Sequence, residues 1–456
     1  MKYYQLTGKI IIILALLLAG CNKILDVKSN NKLSVPVTLD DFQAILDHAA
    51  NMNTDFISIG LVSADEYYLT DADYNAMLYE SDKRLYTWQP DYVSRLIASV
   101  GDEWYNTYKG IYACNAVIDG LQQNQHTGII ARNIKGQALT FRAARYLDGV
   151  LAWAPIYNKA TARNDLGMVI REDPDFNKPS KRYSVEETYE YILNDLHQAI
   201  DLLPPTQISR SRPDKSAAYG LLARTYLYMG QYDSALTYAE KVIQFSKELI
   251  DFNNLNSSSN YPLPAVNGIG TETIFYNVMF YANPLSGSVA KITPELYNLY
   301  PTDDLRKLMF FRTNPDNSIR FKGSLSGGSG NLTGISVGEI YLILTECNIR
   351  LNKLAQASEY INTLLVKRWK KTKYVPYQFT NATTALEILF KERRKELVFR
   401  GTRWADLKRL NRDGAAITLQ RTVNGQVYKL PPNDLRYAVA IPEDVILLSG
   451  IPQNPR

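Results

Sequence analysis

The sequence predicts a mostly α-helical protein in which paired helices form a scaffold that carries long irregular insertions and a few short strands. Three observations lead to this prediction. Apolar residues recur with helical periodicity from Asp40 onward. Two stretches have the spacing of a helix–turn–helix pair, and residues 251–331 between them are rich in Pro, Gly, Ser and Asn. We therefore expect loops held on helices, and such loops usually carry the binding surface.

The first twenty residues differ from the rest of the chain. An uninterrupted apolar run extends from Ile10 to Ala19, which is shorter than the roughly 20 residues that a membrane-spanning helix needs. The pattern is typical of a secretory signal peptide. The letters LAGC at 18–21 resemble a bacterial lipobox. We therefore expect residues 1–20 to be a lipoprotein signal peptide and Cys21 to be acylated, which would anchor the chain stably to a membrane. The alternatives are an ordinary signal peptide and a cysteine in an N-terminal anchor.

The scaffold helices follow in order along the chain. Trp104 lies on the regular apolar stripe of one of them and is therefore predicted to be structural, as is Trp404 in a later helix. Ser184 and Glu187 have the spacing of a capping box. The predicted helices are one capped by Thr38, two over about 101–121 and 135–153, and one that runs from Ser184 to Leu203.

Two later stretches resemble tetratricopeptide repeats. In the first, Gly230 is followed five residues later by Ala235, and in the second Asn352 is followed five residues later by Ala357. Glycine or asparagine suits the left-handed residue that ends a helix, and a small alanine lets the next helix lie close to the first. The repeats do not form a regular array. The insertion between them, about 251–331, is predicted to hold a strand over 274–281 and a loop over 323–331.

The composition excludes several classes of protein. No two of the three histidines, His48, His126 and His197, have metal-ligand spacing, so we expect no zinc site. Removal of Lys2 and Lys9 with the leader lowers the net charge from +5 to +3. The basic residues are not clustered as nucleic-acid binding requires. We therefore expect a non-enzymatic binding protein without metal, cofactor or nucleic-acid partner.

Two cysteines remain besides Cys21. Export would permit a disulfide between Cys114 and Cys347, whereas their positions within helical patterns favour two small buried residues. The sequence leaves both alternatives open.

Several motifs occur in an order that points to one known family. They are CNKILDVK at 21–28, YKGIYACNAVI at 108–118, ALTFRAARY at 138–146, the repeat pair at 212–232, ERRKELVF at 392–399 with GTRWADL at 401–407, and QNP at 453–455. These motifs span most of the chain and resemble the SusD/RagB family of outer-membrane lipoproteins from Bacteroidetes. Arg400 stands where the family usually has Glu, and Asn352 replaces the usual turn glycine. We expect neither departure to affect function.

The resemblance implies a SusD-like fold with residues 21–456 as a single domain. It implies a cell-surface protein, lipid-anchored at Cys21 in the outer membrane, that captures an oligosaccharide. The lipoprotein would deliver that ligand to a SusC-like, TonB-dependent transporter, with no covalent chemistry. The alternative keeps the fold and the role but has a peptide or another nutrient as ligand.

Sugar rings pack their C–H faces on aromatic rings while their hydroxyls bind amides or carboxylates. The segment at about 60–95 is rich in aromatic and acidic residues and has poor periodicity, and the resemblance implies ligand contacts there, with a stacking tryptophan at Trp88. The candidate ligand-binding residues are Trp88, Tyr86, Tyr67, Tyr68, Asp65 and Glu66, together with Tyr281 in the insertion.

Two other functions compete with ligand capture. A glycoside hydrolase needs two suitably spaced carboxyl groups, for which Asp65 with Glu66, or Asp71 with Asp73, are the only evident candidates, and such pairs in polar loops are usually solvated or cap turns. A purely protein-binding repeat scaffold would leave the lipobox and the aromatic segment unexplained.

Overall fold

The structure is a computed structural model that describes residues 35–91, 103–264, 271–279 and 282–456. The predictions for the signal peptide, for Cys21 and for Tyr281 lie outside the described residues. Within the described part, no helix has the length and apolar character needed to cross a membrane.

Helices dominate the described residues, which confirms the predicted fold class. Several short helices precede the long ones, and three of them lie in the segment that the sequence predicts as a loop. In chain order the helices are α1 (Leu39–Asp47), α2 (Ala49–Met52), α3 (Ile59–Ser63), α4 (Asp71–Asn75), α5 (Glu80–Tyr86), α6 (Glu103–Gln123), α7 (Gly128–Trp153), α8 (Val185–Leu202), α9 (Lys215–Met229), α10 (Tyr232–Phe245), α11 (Pro294–Tyr297), α12 (Arg306–Phe310), α13 (Val337–Arg350), α14 (Leu354–Leu365), α15 (Ala382–Glu396), α16 (Arg403–Arg412) and α17 (Glu443–Ser449).

Within the described ranges, the strands are short and pair only two at a time. They are β1 (Tyr67–Tyr68), β2 (Leu166–Val169), β3 (Arg182–Ser184), β4 (Thr273–Phe275), β5 (Lys291–Ile292), β6 (Phe311–Thr313), β7 (Ile319–Phe321), β8 (Ile335–Ser336), β9 (Leu419–Val423) and β10 (Gln426–Leu430). All five pairs are antiparallel: β1 with β5, β2 with β3, β4 with β8, β6 with β7, and β9 with β10. The strand predicted over 274–281 is therefore realised only as the short β4.

The predicted helix caps are present. Ser184 accepts a hydrogen bond from the backbone N–H of Glu187, whose carboxylate accepts one from the N–H of Ser184, so the capping box of α8 is complete. Thr38 caps α1 with Asp41 in the same way. These reciprocal bonds satisfy backbone N–H groups that the first helical turn leaves without partners.

The two predicted helix pairs are α9 with α10 and α13 with α14. Gly230 ends α9 with φ at +75°, and Asn352 lies between α13 and α14 with φ at +57°. Ala235 and Ala357 are fully buried, as close packing of each pair requires. The helix α13 packs on α10, α14 and α15, and α7 packs on α6 and α8, so the pairs form one continuous helical layer.

The apolar core has two parts. The larger part lies among the helices, and the smaller one lies under the insertion, where Phe310, Phe311 and Phe399 pack together with Tyr67 and Tyr86. Cys114 and Cys347 are buried and unpaired, so they are free thiols.

Candidate functional site

The aromatic side chains predicted to stack on a ligand surround one arginine. The guanidinium of Arg421 lies 3.8 Å from the ring centre of Tyr86, 4.7 Å from that of Trp88 and 5.3 Å from that of Tyr67. The indole N–H of Trp88 donates a 2.9 Å hydrogen bond to the carbonyl of Ser63. Trp88 is only 4% exposed, and Tyr67 and Tyr86 are less exposed still. The structure gives these rings a packing role, and their contact with a ligand stays a prediction.

The acidic candidates of this segment have protein partners. Asp65 forms a bidentate ion pair with Arg403, at 2.7 and 2.9 Å. It also forms an ion pair with Arg394 through a single contact at 3.2 Å. These arginines hold the pKa of Asp65 well below its usual range, although its burial opposes the shift. Glu66 is buried and accepts a 3.2 Å hydrogen bond from the N–H of Phe399, and burial raises its pKa to about 8.

Neither predicted carboxylate pair has the surroundings of a glycosidase site. The cavity beside Glu66 has a volume of only about 10 Å³, which is about enough for one water molecule. Asp71 accepts a hydrogen bond from the N–H of Asn424, and Asp73 forms a 2.8 Å ion pair with Lys291. Each of these four carboxyl groups thus has a protein partner, although the second oxygen of Glu66 has none among the described residues.

Tyr68 differs from its neighbours because it is 37% exposed. It lies in β1, opposite Lys291 of β5, and alternation along this short strand turns Tyr67 inward and Tyr68 outward. Tyr68 is therefore the aromatic candidate of the described residues whose ring a ligand can reach.

A cavity of about 580 Å³ lies in the insertion, beside the hairpin of β6 and β7. We call it the hairpin cavity. Its aromatic walls are Tyr261, Phe321 and Phe399, and its amide groups come from Asn260 and Asn331. Serines and glycines of the loop at 324–331 also line it, together with the cations Arg312, Arg320 and Lys322.

Tyr281 lies outside the described residues. Met279 and Ala282, which the structure describes, line the hairpin cavity. The other predicted candidates do not line it.

Phe399, one residue of the aromatic wall, has an unusual backbone conformation. The rings of Phe321 and Phe399 stack with centroids 4.8 Å apart and planes at 18°. Phe399 has φ at +57°, which is unusual for a bulky residue and costs on the order of 1–3 kcal/mol. The ring stack and the bond from the Phe399 N–H to Glu66 hold this conformation in place. Buried Glu66 therefore supports the cavity wall, and its contact with a ligand stays a prediction.

A second aromatic cavity, of about 240 Å³, lies on α6. Trp104, Tyr108, Tyr112 and Phe176 line it. Trp104 is buried and packs 4.9 Å from the rings of both Tyr108 and Trp153, in agreement with its predicted structural role. Among the described residues, no group of three His, Cys, Asp or Glu side chains could hold a metal ion.

The residues of the hairpin cavity were not predicted from the sequence as a binding site, because most of them lie in an irregular insertion. A usable signal was present: Asn314-Pro315-Asp316-Asn317 is rich in turn-forming residues, and short β-branched and aromatic segments flank it. That pattern predicts a hairpin, and the hairpin places Arg312 opposite Arg320.

The chain is similar in sequence to proteins of one family. A family model described as "Starch-binding associating with outer membrane" matches residues 23–227, and the SusD family model matches residues 309–443. The SusD-like protein P2 of Formosa agariphila is 26% identical over 286 residues, which are 49% of this chain and 56% of that protein. A SusD-like protein of Bacteroides ovatus is 24% identical over 181 residues, covering 37% of this chain and 30% of that protein. The matched region thus spans at most about half the length of these relatives.

Solved structures share the fold over nearly the whole chain. A SusD superfamily protein from Bacteroides thetaiotaomicron is 22% identical, with a TM-score of 0.69, and the match covers 92% of this chain and 100% of that one. A SusD-like carbohydrate binding protein from Bacteroides vulgatus is 21% identical, with a TM-score of 0.67 and coverage of 91% and 97%. At these identities the likeness establishes the fold.

Proposed function

Because this chain belongs to the SusD/RagB family, we propose that it is an outer-membrane binding protein that captures oligosaccharides in the hairpin cavity. It is anchored at the cell surface through Cys21 and passes its ligand to a SusC-like, TonB-dependent transporter. The lipobox and the family's description as associated with the outer membrane support this location.

The lining of the hairpin cavity is the observation that carries the proposal. Tyr261 is 47% exposed, and Phe321 lines the same cavity. Two amide side chains, Asn260 and Asn331, also line it and can both donate to and accept from sugar hydroxyls. Aromatic faces with amides between them are what an oligosaccharide requires.

Capture without catalysis agrees with the surroundings of the carboxylates. No Asp or Glu is among the described residues that line the hairpin cavity, and hydrolysis of a glycosidic bond ordinarily needs two carboxyl groups. Tyr68 and Tyr281 stay proposed ligand contacts, whereas burial argues against direct contact by Trp88, Tyr86, Tyr67 and Glu66 in this conformation.

The test compares two tyrosines of matched exposure, Tyr261 at 47% and Tyr112 at 49%. The chain from residue 22 onward would be titrated calorimetrically with panels of oligosaccharides and of peptides. Tyr261→Ala should weaken the binding of an oligosaccharide roughly three- to tenfold, because an aromatic contact is worth about 0.5–1.5 kcal/mol. Tyr112→Ala, in the second aromatic cavity, should leave the affinity unchanged.

Other outcomes would contradict the proposal. The reverse pattern would place the ligand in the second cavity. Binding of peptides alone would overturn the carbohydrate ligand and favour the alternative nutrient, and release of shortened glycans would show that the protein is an enzyme.

A further inference from the structure

The hairpin cavity contains an uncompensated cluster of positive charge. In the β6–β7 hairpin, Arg312 lies directly opposite Arg320. Like charges at directly opposite positions of an antiparallel pair destabilise the pairing. Within the part of the chain that the structure describes, neither guanidinium has a hydrogen bond or an ion pair. The hairpin therefore keeps two repelling cations side by side without neutralising them.

Lys322, the residue after β7, adds a third cation to the same wall. Its ammonium group donates to the backbone carbonyls of Ser257 and Ser259 and to no carboxylate of the described residues. Burial lowers the pKa of Lys322, and the positive charge of Arg312 lowers it further. The two side chains are therefore close enough for their charges to act on each other.

Several buried cations elsewhere in the described chain pair with carboxylates, and others donate to backbone carbonyls, as Lys408 does. Arg224 pairs with Glu339 at 2.7 Å, and Arg409 pairs with Glu346 at 2.6 Å. Lys291 of the neighbouring strand β5 pairs with Asp73. Within the described residues, Arg312 and Arg320 have neither kind of partner, and the lining of the hairpin cavity contains three cations and no carboxylate. The overall net charge of +5 over 456 residues is too small to account for such a local excess.

We propose that the ligand of the hairpin cavity is an acidic oligosaccharide, whose carboxylate or sulfate groups pair with Arg312, Arg320 and Lys322. This inference rests on the proposed function and narrows it to one class of sugar. Guanidinium groups bind carboxylate and sulfate-like oxygens through paired, charge-assisted hydrogen bonds. Adjacent arginines suit anionic groups that repeat along a chain, and the aromatic wall of Tyr261 and Phe321 would contact the intervening ring faces.

The experiment uses three probes of similar length: maltohexaose as a neutral sugar, a hexagalacturonate as a carboxylated one, and a carrageenan hexasaccharide, which carries sulfate groups but no carboxylate. The chain from residue 22 onward would be titrated with each at 50 and 300 mM NaCl. At least one acidic probe should bind ten times or more as tightly as maltohexaose, and its affinity should fall with added salt because ions screen the attraction. The two acidic probes distinguish carboxylate from sulfate.

The variants connect this preference to the hairpin. Arg320→Gln should lower the affinity for the acidic probe on the order of tenfold, and Arg312→Gln should have a similar effect. Arg163→Gln, which removes an exposed arginine outside the cavity, is the matched control and should change nothing. Loss of a like-charge pair should not lower the thermal unfolding midpoint, so weakened binding in a variant of unchanged midpoint reports on the ligand rather than on folding.

The outcomes separate the inference from the proposed function. Tighter binding of maltohexaose than of either acidic sugar, or acidic binding that Arg312→Gln and Arg320→Gln leave intact, would overturn the acidic ligand while oligosaccharide capture stands. A fourth probe, hexaglutamate, tests the charge without the sugar. If hexaglutamate is the only probe that binds, and Arg320→Gln weakens its binding, then the oligosaccharide is the part of the proposal that fails.

Discussion

Replacement of Trp88 distinguishes a packing residue from a ligand contact. In the structure its indole is buried in the larger core, bonded to the Ser63 carbonyl and covered by the Arg421 guanidinium. Trp88→Ala would remove all of these contacts at once. Aromatic-to-alanine changes in a core cost about 3–5 kcal/mol, and the lost hydrogen bond leaves a buried carbonyl without its partner.

That loss is a large fraction of the free energy of unfolding of most proteins, which is about 5–15 kcal/mol. The backbone does not offset the loss, because Trp88 has φ at +52° and alanine suits a left-handed conformation no better. We therefore expect the urea midpoint of Trp88→Ala to fall strongly. A residue that only stacked on a ligand would leave the free protein's stability nearly unchanged.

The assay is urea unfolding followed by circular dichroism, with oligosaccharide affinity measured where each variant is folded. Tyr68→Ala is the control for stability. Because the Tyr68 ring is exposed, its loss should change the free energy of unfolding by no more than about 0.5 kcal/mol. Trp88→Ala should be less stable than the wild type. Its affinity for the oligosaccharide, calculated from the concentration of folded protein, should change little. A variant with the wild-type urea midpoint and no affinity would refute the packing role of Trp88 and restore it as a ligand contact.

Two further predictions concern Glu66 and Cys21. Burial raises the pKa of Glu66 from an ordinary value of 4.5 to about 8, so the folded protein keeps a proton that the unfolded chain loses. Glu66 should therefore lower the unfolding free energy as pH rises from about 4.5 to about 8, by at most about 1.4 kcal/mol per pH unit. Glu66→Gln should flatten that slope in urea titrations, and an unchanged slope would contradict the raised pKa. Cys21→Ser should move the protein from the membrane fraction to the soluble fraction, and a variant still in the membrane pellet would contradict the lipid anchor.

The scaffold was predictable because its signals are local. A helix cap involves residues three apart, as in Ser184 and Glu187, and the left-handed conformations at Gly230 and Asn352 follow from residue type within one turn. Such signals need no knowledge of the rest of the chain. The turn positions of the two helix pairs could therefore be predicted from the sequence.

The surroundings of the aromatic segment were not predictable in the same way. Its rings pack around Arg421, more than 300 residues away in the chain, and nothing in local periodicity pairs them. The segment's poor periodicity instead suggested exposed rings. Trp88, Tyr86 and Tyr67 are irregularly spaced because they enclose a single guanidinium, not because they face solvent.

Arg400 also acquires a role that the sequence did not suggest. The family usually has Glu at this position, and we expected the departure to be without effect. The buried guanidinium donates to the carbonyls of Leu332 and Gly334 and to the hydroxyl of Ser336. These residues directly follow the loop that lines the hairpin cavity, so Arg400 fixes the end of that loop.

Buried ion pairs tie the walls of the hairpin cavity to the helical scaffold. Arg306, in the helix that leads into β6, pairs with Glu392 and Glu396 of α15. Arg368 joins Glu396 to Glu272, which lies just before β4. Buried pairs of this kind add little net stability, because desolvation offsets their attraction, but losing one partner is strongly destabilising. They therefore fix where the segments lie relative to one another.

This arrangement explains why unpaired charge can persist in the cavity. The hairpin that holds Arg312 opposite Arg320 is attached to α15 through Arg306, so repulsion between the two guanidinium groups acts on a segment that is already held. A loosely attached hairpin could relieve the repulsion by changing its register. A rigid one keeps both cations aimed at the same cavity, and an anionic ligand would then gain affinity by neutralising a charge pair that the fold itself leaves uncompensated.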